Sequence, residues 1–127
     1  MSKKMSVNGE CHCGSISISA LVDKNEVRVC HCTDCQKMSG APFRAIAVAS
    51  AKSIKIEGSP KEYIKISDSG NRRIQAFCEK CGTQLFATDI DKTLFNLRTG
   101  FLEQKNELSP KKHVFTQSSV PWIKSFL

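Results

Sequence analysis

Polar and apolar positions alternate along much of this chain. Ile16, Ile18 and Ala20 interleave with Ser15, Ser17 and Ser19, which predicts a strand with one buried face. The same period of two recurs in Ser53–Glu57, read Ser-Ile-Lys-Ile-Glu, and in Glu62–Ile66, read Glu-Tyr-Ile-Lys-Ile. Phe43–Ala49 is richer in apolar residues and fits a central strand. Further strands are expected at Arg72–Phe77, Gln84–Ala87 and Thr93–Arg98. Between them, Glu57-Gly58-Ser59-Pro60 and Ser67-Asp68-Ser69-Gly70-Asn71 are turn chemistry. Short strands at this spacing predict a mainly β fold of short antiparallel strands. No long helical pattern interrupts them. Thr33–Ser39 fits one short turn of helix, with Thr33 or Asp34 as its cap. Ser109–Leu127 carries aromatics with Pro110 and Pro121 and reads as loop or strand.

A length of 127 residues fits one domain, residues 1–127, with a core of its own. No stretch is long and apolar enough to span a membrane. The first residues, MSKKMSVNGECHCG, are basic but lack the apolar run of a secretory signal, so the expected location is cytoplasmic. Disulfides are rare there, and clustered cysteines point to metal or redox chemistry. The formal charge of +7 hints at nucleic acid. Metal-bound thiols weaken that hint, because seven thiolates contribute −7 and two zinc ions +4, leaving +4. The basic residues are also dispersed, so solvated faces are favoured over a nucleic-acid footprint.

The seven cysteines fall in three groups: Cys11-His12-Cys13-Gly14, Cys30-His31-Cys32-Thr33-Asp34-Cys35 and Cys78-Glu79-Lys80-Cys81-Gly82. Side chains at i and i+2 of an extended segment share a face, so each C-x-C aims two sulfurs one way and turns His12 and His31 aside. A C-x-x-C closed by glycine is a metal knuckle, since glycine supplies the positive φ the turn needs. Pairing Cys11 and Cys13 with Cys78 and Cys81 gives a four-thiol structural zinc site that clips distant strands together. Pairing the first two with the middle group is the other arrangement the spacing allows. The preferred sorting leaves Cys30, Cys32 and Cys35 as three ligands with an open position, the pattern of a catalytic zinc. Closure of that site by His31, His113 or Asp34, or use of Cys32 and Cys35 as a redox dithiol, are the alternatives.

Three segments together, Gly9–Ile16, Cys30–Phe43 and Phe77–Phe86, with Pro121-Trp122 near the end, resemble the glutathione-dependent formaldehyde-activating enzyme family of the centromere protein V superfamily. The resemblance implies a zinc-stabilised β-tent fold and a carbon–sulfur lyase. It implies two zinc ions: one structural, on Cys11, Cys13, Cys78 and Cys81, and one catalytic, on Cys30, Cys32 and Cys35. The partner expected is a small thiol, glutathione being the candidate, which adds to a carbonyl or leaves its S-hydroxymethyl adduct. A trithiolate zinc is a weak Lewis acid, so a substrate thiol suits it better than activated water. Asp34 is a candidate acid, Lys37 and Arg44 candidate carboxylate partners, and Phe43 and Trp122 candidate walls. The alternative function is a non-catalytic two-zinc β-domain that binds a protein or nucleic acid.

Overall fold

The computed structural model describes residues 4–67 and 69–126. Among them are ten strands and one α-helix. In chain order these are β1 (Lys4–Glu10), β2 (Ser17–Asp23), β3 (Arg28–Cys30), α1 (Thr33–Ser39), β4 (Arg44–Ser50), β5 (Lys55–Glu57), β6 (Lys61–Ile66), β7 (Arg72–Phe77), β8 (Gln84–Asp89), β9 (Leu94–Arg98) and β10 (Lys112–Val114). Mainly β structure is therefore present, and all the strands belong to one sheet with the order β1-β2-β4-β9-β8-β7-β6. Pairing is antiparallel except between β10 and β3, which run parallel. β4 is the hub. One of its edges is shared by β3, near Arg44–Ile46, and by β2, at Ala49, while the other edge carries β9.

Register explains the two faces of the sheet. Ala47 lies opposite Leu97, Leu97 opposite Phe86, and Phe86 opposite Ala76. All four are buried in the main core, with Val7, Ile18, Val22, Leu85 and Leu102. One residue out of phase, Val48, Asn96, Ala87 and Gln75 form a second row, and Arg98 stands beside it opposite Ile46. Successive strand residues point to opposite faces, so this row looks away from the main core. There Ile46 packs with Cys30 and Cys35 in a second, smaller cluster.

The alternating segments form strands close to the expected ones. β1, β3 and β10 are additional. In β1, Met5, Val7 and Gly9 take the inward phase, and a side chain at Gly9 would meet the Phe101 carbonyl oxygen at 2.3 Å. A close backbone approach thus requires glycine at this strand position. The stretch after Ser109 resolves into β10 and short 3₁₀ turns at Thr116–Ser118 and Pro121–Ser125.

Candidate functional site

The first cysteine group is a junction between two hairpins. Cys11 follows β1, and Cys13 lies two residues on, within a turn rather than the extended segment expected. Cys78 follows β7, and Cys81 precedes β8. Gly14 and Gly82 both have φ +81°, the left-handed conformation that closes each turn. Their N–H groups donate to the carbonyls of Cys11, at 2.9 Å, and Cys78, at 2.8 Å. The His12 N–H donates to Thr83 Oγ1 at 3.0 Å and fastens one turn to the other, while the His12 side chain is exposed. All four sulfurs lie within 4.8 Å of one another. Cys13 Sγ is 3.7 Å from Cys11 Sγ and 3.8 Å from Cys78 Sγ. A regular tetrahedron with zinc–sulfur bonds of about 2.3 Å has edges of about 3.8 Å, so this donor set fits zinc in both type and size.

The second group is assembled by β3 and α1. Cys30 ends β3, opposite Arg44 on β4. Cys32 sits at the N-terminus of α1, where its sulfur accepts the Cys35 N–H at 3.3 Å. The helix cap is therefore Cys32, not Thr33 or Asp34. A thiolate can serve both as cap acceptor and as metal ligand, which an oxygen cap here would not. Ser39 Oγ donates to the Cys35 carbonyl at 2.7 Å, and Gln36 Nε2 donates to the carbonyls of His31, at 2.8 Å, and Ser118, at 2.9 Å. Those bonds fix the loop that aims the sulfurs. Cys30, Cys32 and Cys35 lie within 4.8 Å of one another, and among the described residues no histidine or carboxylate joins them. Hydrogen bonding with Cys30, then the charge of Arg44, holds the Cys35 thiol down to about 5, while the Cys30 thiol is pushed up. Three sulfurs this close cannot all ionise without a cation to offset the charge, so this set too could hold a metal ion.

His31 does turn aside. It is buried, its Nε2 lies 2.9 Å from His113 Nδ1, and the two rings stack. Burial, with the neighbouring His113, lowers its pKa. Asp34 forms an ion pair with Lys65 on β6. Lys37 is exposed. Trp122 is exposed as well and meets Phe126 edge to face, away from the cleft it was expected to wall.

Beside the second group lies a cleft of about 440 Å³, lined by residues including Ser39, Phe43, Arg44, Gln84 and Arg98. Phe43 is thus a wall, and Arg44 is a buried part of the lining rather than a surface cation. Gln84 Nε2 donates to the Met38 carbonyl, and its Oε1 accepts Arg44 Nη1 at 3.3 Å. Arg98 and Gln75 were not foreseen. Their only trace in the sequence is a long polar residue within an expected strand. Among the described residues no cysteine lines the cleft; Arg44, opposite Cys30, connects it to the second group. A wider cavity of about 530 Å³ is lined in part by Glu10, Lys55, Glu57 and Glu103.

The family model for the glutathione-dependent formaldehyde-activating enzyme matches residues 6–118. An uncharacterized lyase of Schizosaccharomyces pombe is 31% identical over 78 residues, which are 61% of this chain and 54% of that protein. The chain thus matches about half the length of that relative. A crystal structure of a Rhodobacter sphaeroides protein superposes with a TM-score of 0.65 at 18% identity, over 84% of this chain and 99% of that one, a likeness of fold alone. No helix among the described residues is long and apolar enough to cross a membrane.

Proposed function

Because the chain belongs to the glutathione-dependent formaldehyde-activating enzyme family, we propose that it is a zinc-dependent carbon–sulfur lyase acting on a small thiol, glutathione foremost, and a carbonyl compound or its S-hydroxymethyl adduct. Cys11, Cys13, Cys78 and Cys81 hold a structural zinc in this reading. Cys30, Cys32 and Cys35 hold the catalytic one. The observation that carries it is the second set itself: three thiols converge with no fourth protein donor among the described residues, and Arg44, opposite Cys30, joins them to an open cleft. A site with three protein ligands leaves a place for substrate. Seven unpaired thiols in one domain suit a reducing, cytoplasmic setting.

When bound, zinc favours the thiolate form of a coordinating thiol. In the addition direction a sulfur–carbon bond forms, the carbonyl π pair moves to oxygen, and the proton lost by the thiol ends on that oxygen. The lyase direction reverses each change. The chain orients and shields these partners. Phe43 covers one side of the cleft, and Gln36 and Ser39 fix the loop that carries Cys32 and Cys35. Arg44 supplies a fixed positive charge next to Cys35. Asp34 is engaged by Lys65, so water is the proton donor in this scheme.

The test uses zinc-loaded protein and glutathione. Zinc K-edge absorption gains a sulfur neighbour at about 2.3 Å in the wild type and not in Cys32→Ser. NMR then shows faster exchange of S-hydroxymethylglutathione with formaldehyde than in buffer. Absence of a new sulfur neighbour, with a histidine or carboxylate on the second zinc, defeats the proposal.

A further inference from the structure

Two guanidinium groups lie buried side by side in the wall of the cleft. Arg44 and Arg98 are each 7% exposed. Both donate to one neutral acceptor, Gln75 Oε1, from Arg44 Nη1 at 3.3 Å and Arg98 Nη2 at 3.1 Å. Arg98 Nη1 reaches only the Asn96 carbonyl, at 3.1 Å, and the Nε of each arginine is buried without a partner. Among the described residues neither arginine is in an ion pair. Glu10 and Arg98 both line the adjoining cavity, but Glu10 is exposed and beyond ion-pair distance.

Buried charges require partners, and an unpaired one is strongly destabilising. Zinc with three thiolates would carry a formal charge of −1, enough to offset one guanidinium. Arg44 neighbours Cys35, and Arg98 neighbours both Cys35 and Cys30, so a single negative charge is shared between two guanidinium groups and one positive charge remains. The hydrogen bonds of Arg98 go only to a neutral amide and a carbonyl, in a cleft large enough for a small organic acid. Arg73 adds further positive charge near it.

We propose that Arg98, braced by Gln75, is the receptor for a carboxylate in this cleft, and that it selects acidic thiols over neutral ones. The inference deepens the lyase reading, because it assigns the cleft beside Cys30, Cys32 and Cys35 to the acid group of the same thiol. Guanidinium and carboxylate have matching planar shapes, and hydrogen bonds between charged partners are the stronger class. Arg98 is a specificity residue in this scheme and takes no part in the sulfur–carbon step.

The experiment compares N-acetylcysteine with N-acetylcysteine amide, which differ in the carboxylate, by calorimetry on zinc-loaded protein. The acid binds the wild type about tenfold tighter or more, the scale of one charge-assisted bond. Arg98→Gln brings the two dissociation constants together, mainly by weakening the acid. Arg98→Lys retains part of the preference. A thiol-free arm separates the two proposals: succinate raises the melting temperature of the wild type and succinamide does not. If succinate binds through Arg98 while no thiol reaches the zinc, the anion receptor stands and the lyase reading falls. Equal affinity for acid and amide in the wild type, or no stabilisation by succinate, overturns the receptor. If Arg98→Gln does not fold, the wild-type comparisons decide the matter alone.

Discussion

Gln75 holds two buried cations with one oxygen, and the order of the site depends on that contact. Replacing it by leucine keeps the bulk but orphans Arg98 Nη2 and leaves Arg44 Nη1 with Gln84 alone. At about 1–3 kcal/mol for a buried group left unsatisfied, and more for a charged one, Gln75→Leu costs about 2 kcal/mol or more. Gln75→Glu supplies a charged acceptor in the same place and loses much less stability, while its carboxylate occupies the arginines and reduces any preference for acidic ligands. Urea unfolding of both variants checks this, and equal losses remove the bracing role. The three cysteine groups were legible because ligand spacing and glycine-closed turns are local properties of the chain; the meeting of the first with the third, across 65 residues, was not fixed by spacing. Arg98 was not legible. Its partner Gln75 lies 23 residues away, and their meeting depends on the register of three strands.

Elements were legible where period and turn chemistry agreed. β6, as its alternation suggested, is a strand, and it meets β7 in full register. β3 and β10, three residues each, are too short to show a period. The β8–β9 turn offers a test at this scale. Asp89 accepts the N–H groups of Thr93 at 2.9 Å and Leu94 at 3.2 Å, and the Thr93 hydroxyl at 2.8 Å. Those bonds, the Thr93 hydroxyl first, hold its carboxyl well below the ordinary carboxylate range. A depressed folded-state value stabilises the fold above the ordinary pKa of about 4 and loses that stabilisation as pH falls through the depressed value. Asp89→Asn should therefore be less stable than the wild type at pH 7. The gap narrows in urea unfolding as the pH is taken below 4. A gap constant with pH would mean that the carboxylate charge is irrelevant to the turn.

For the molecule as a whole, the two cysteine sets differ in what they join. The first ties the end of β1 to the β7–β8 turn, across 65 residues from Cys13 to Cys78. The second lies within six residues on a strand and helix that other bonds already secure. Elemental analysis of reduced protein is expected to give two zinc ions per chain. Cys78→Ser or Cys81→Ser should abolish cooperative thermal unfolding or lower its midpoint steeply, because structural zinc contributes directly to folding. Cys32→Ser should lose one zinc and only a few degrees, since about 1 kcal/mol moves the midpoint of a domain this size by roughly 4 °C. Equal losses would erase the distinction. The parallel pairing of β10 with β3 bears on synthesis. All seven cysteines have been translated by residue 81, yet the strand carrying Cys30 gains its outer neighbour only with residues 112–114. A nascent chain paused after β9 already holds Cys11, Cys13, Cys78 and Cys81, while the edge beside Cys30 is still bare. Until residues 112–114 are made, the strand that ends in Cys30 is held from one side alone, by β4.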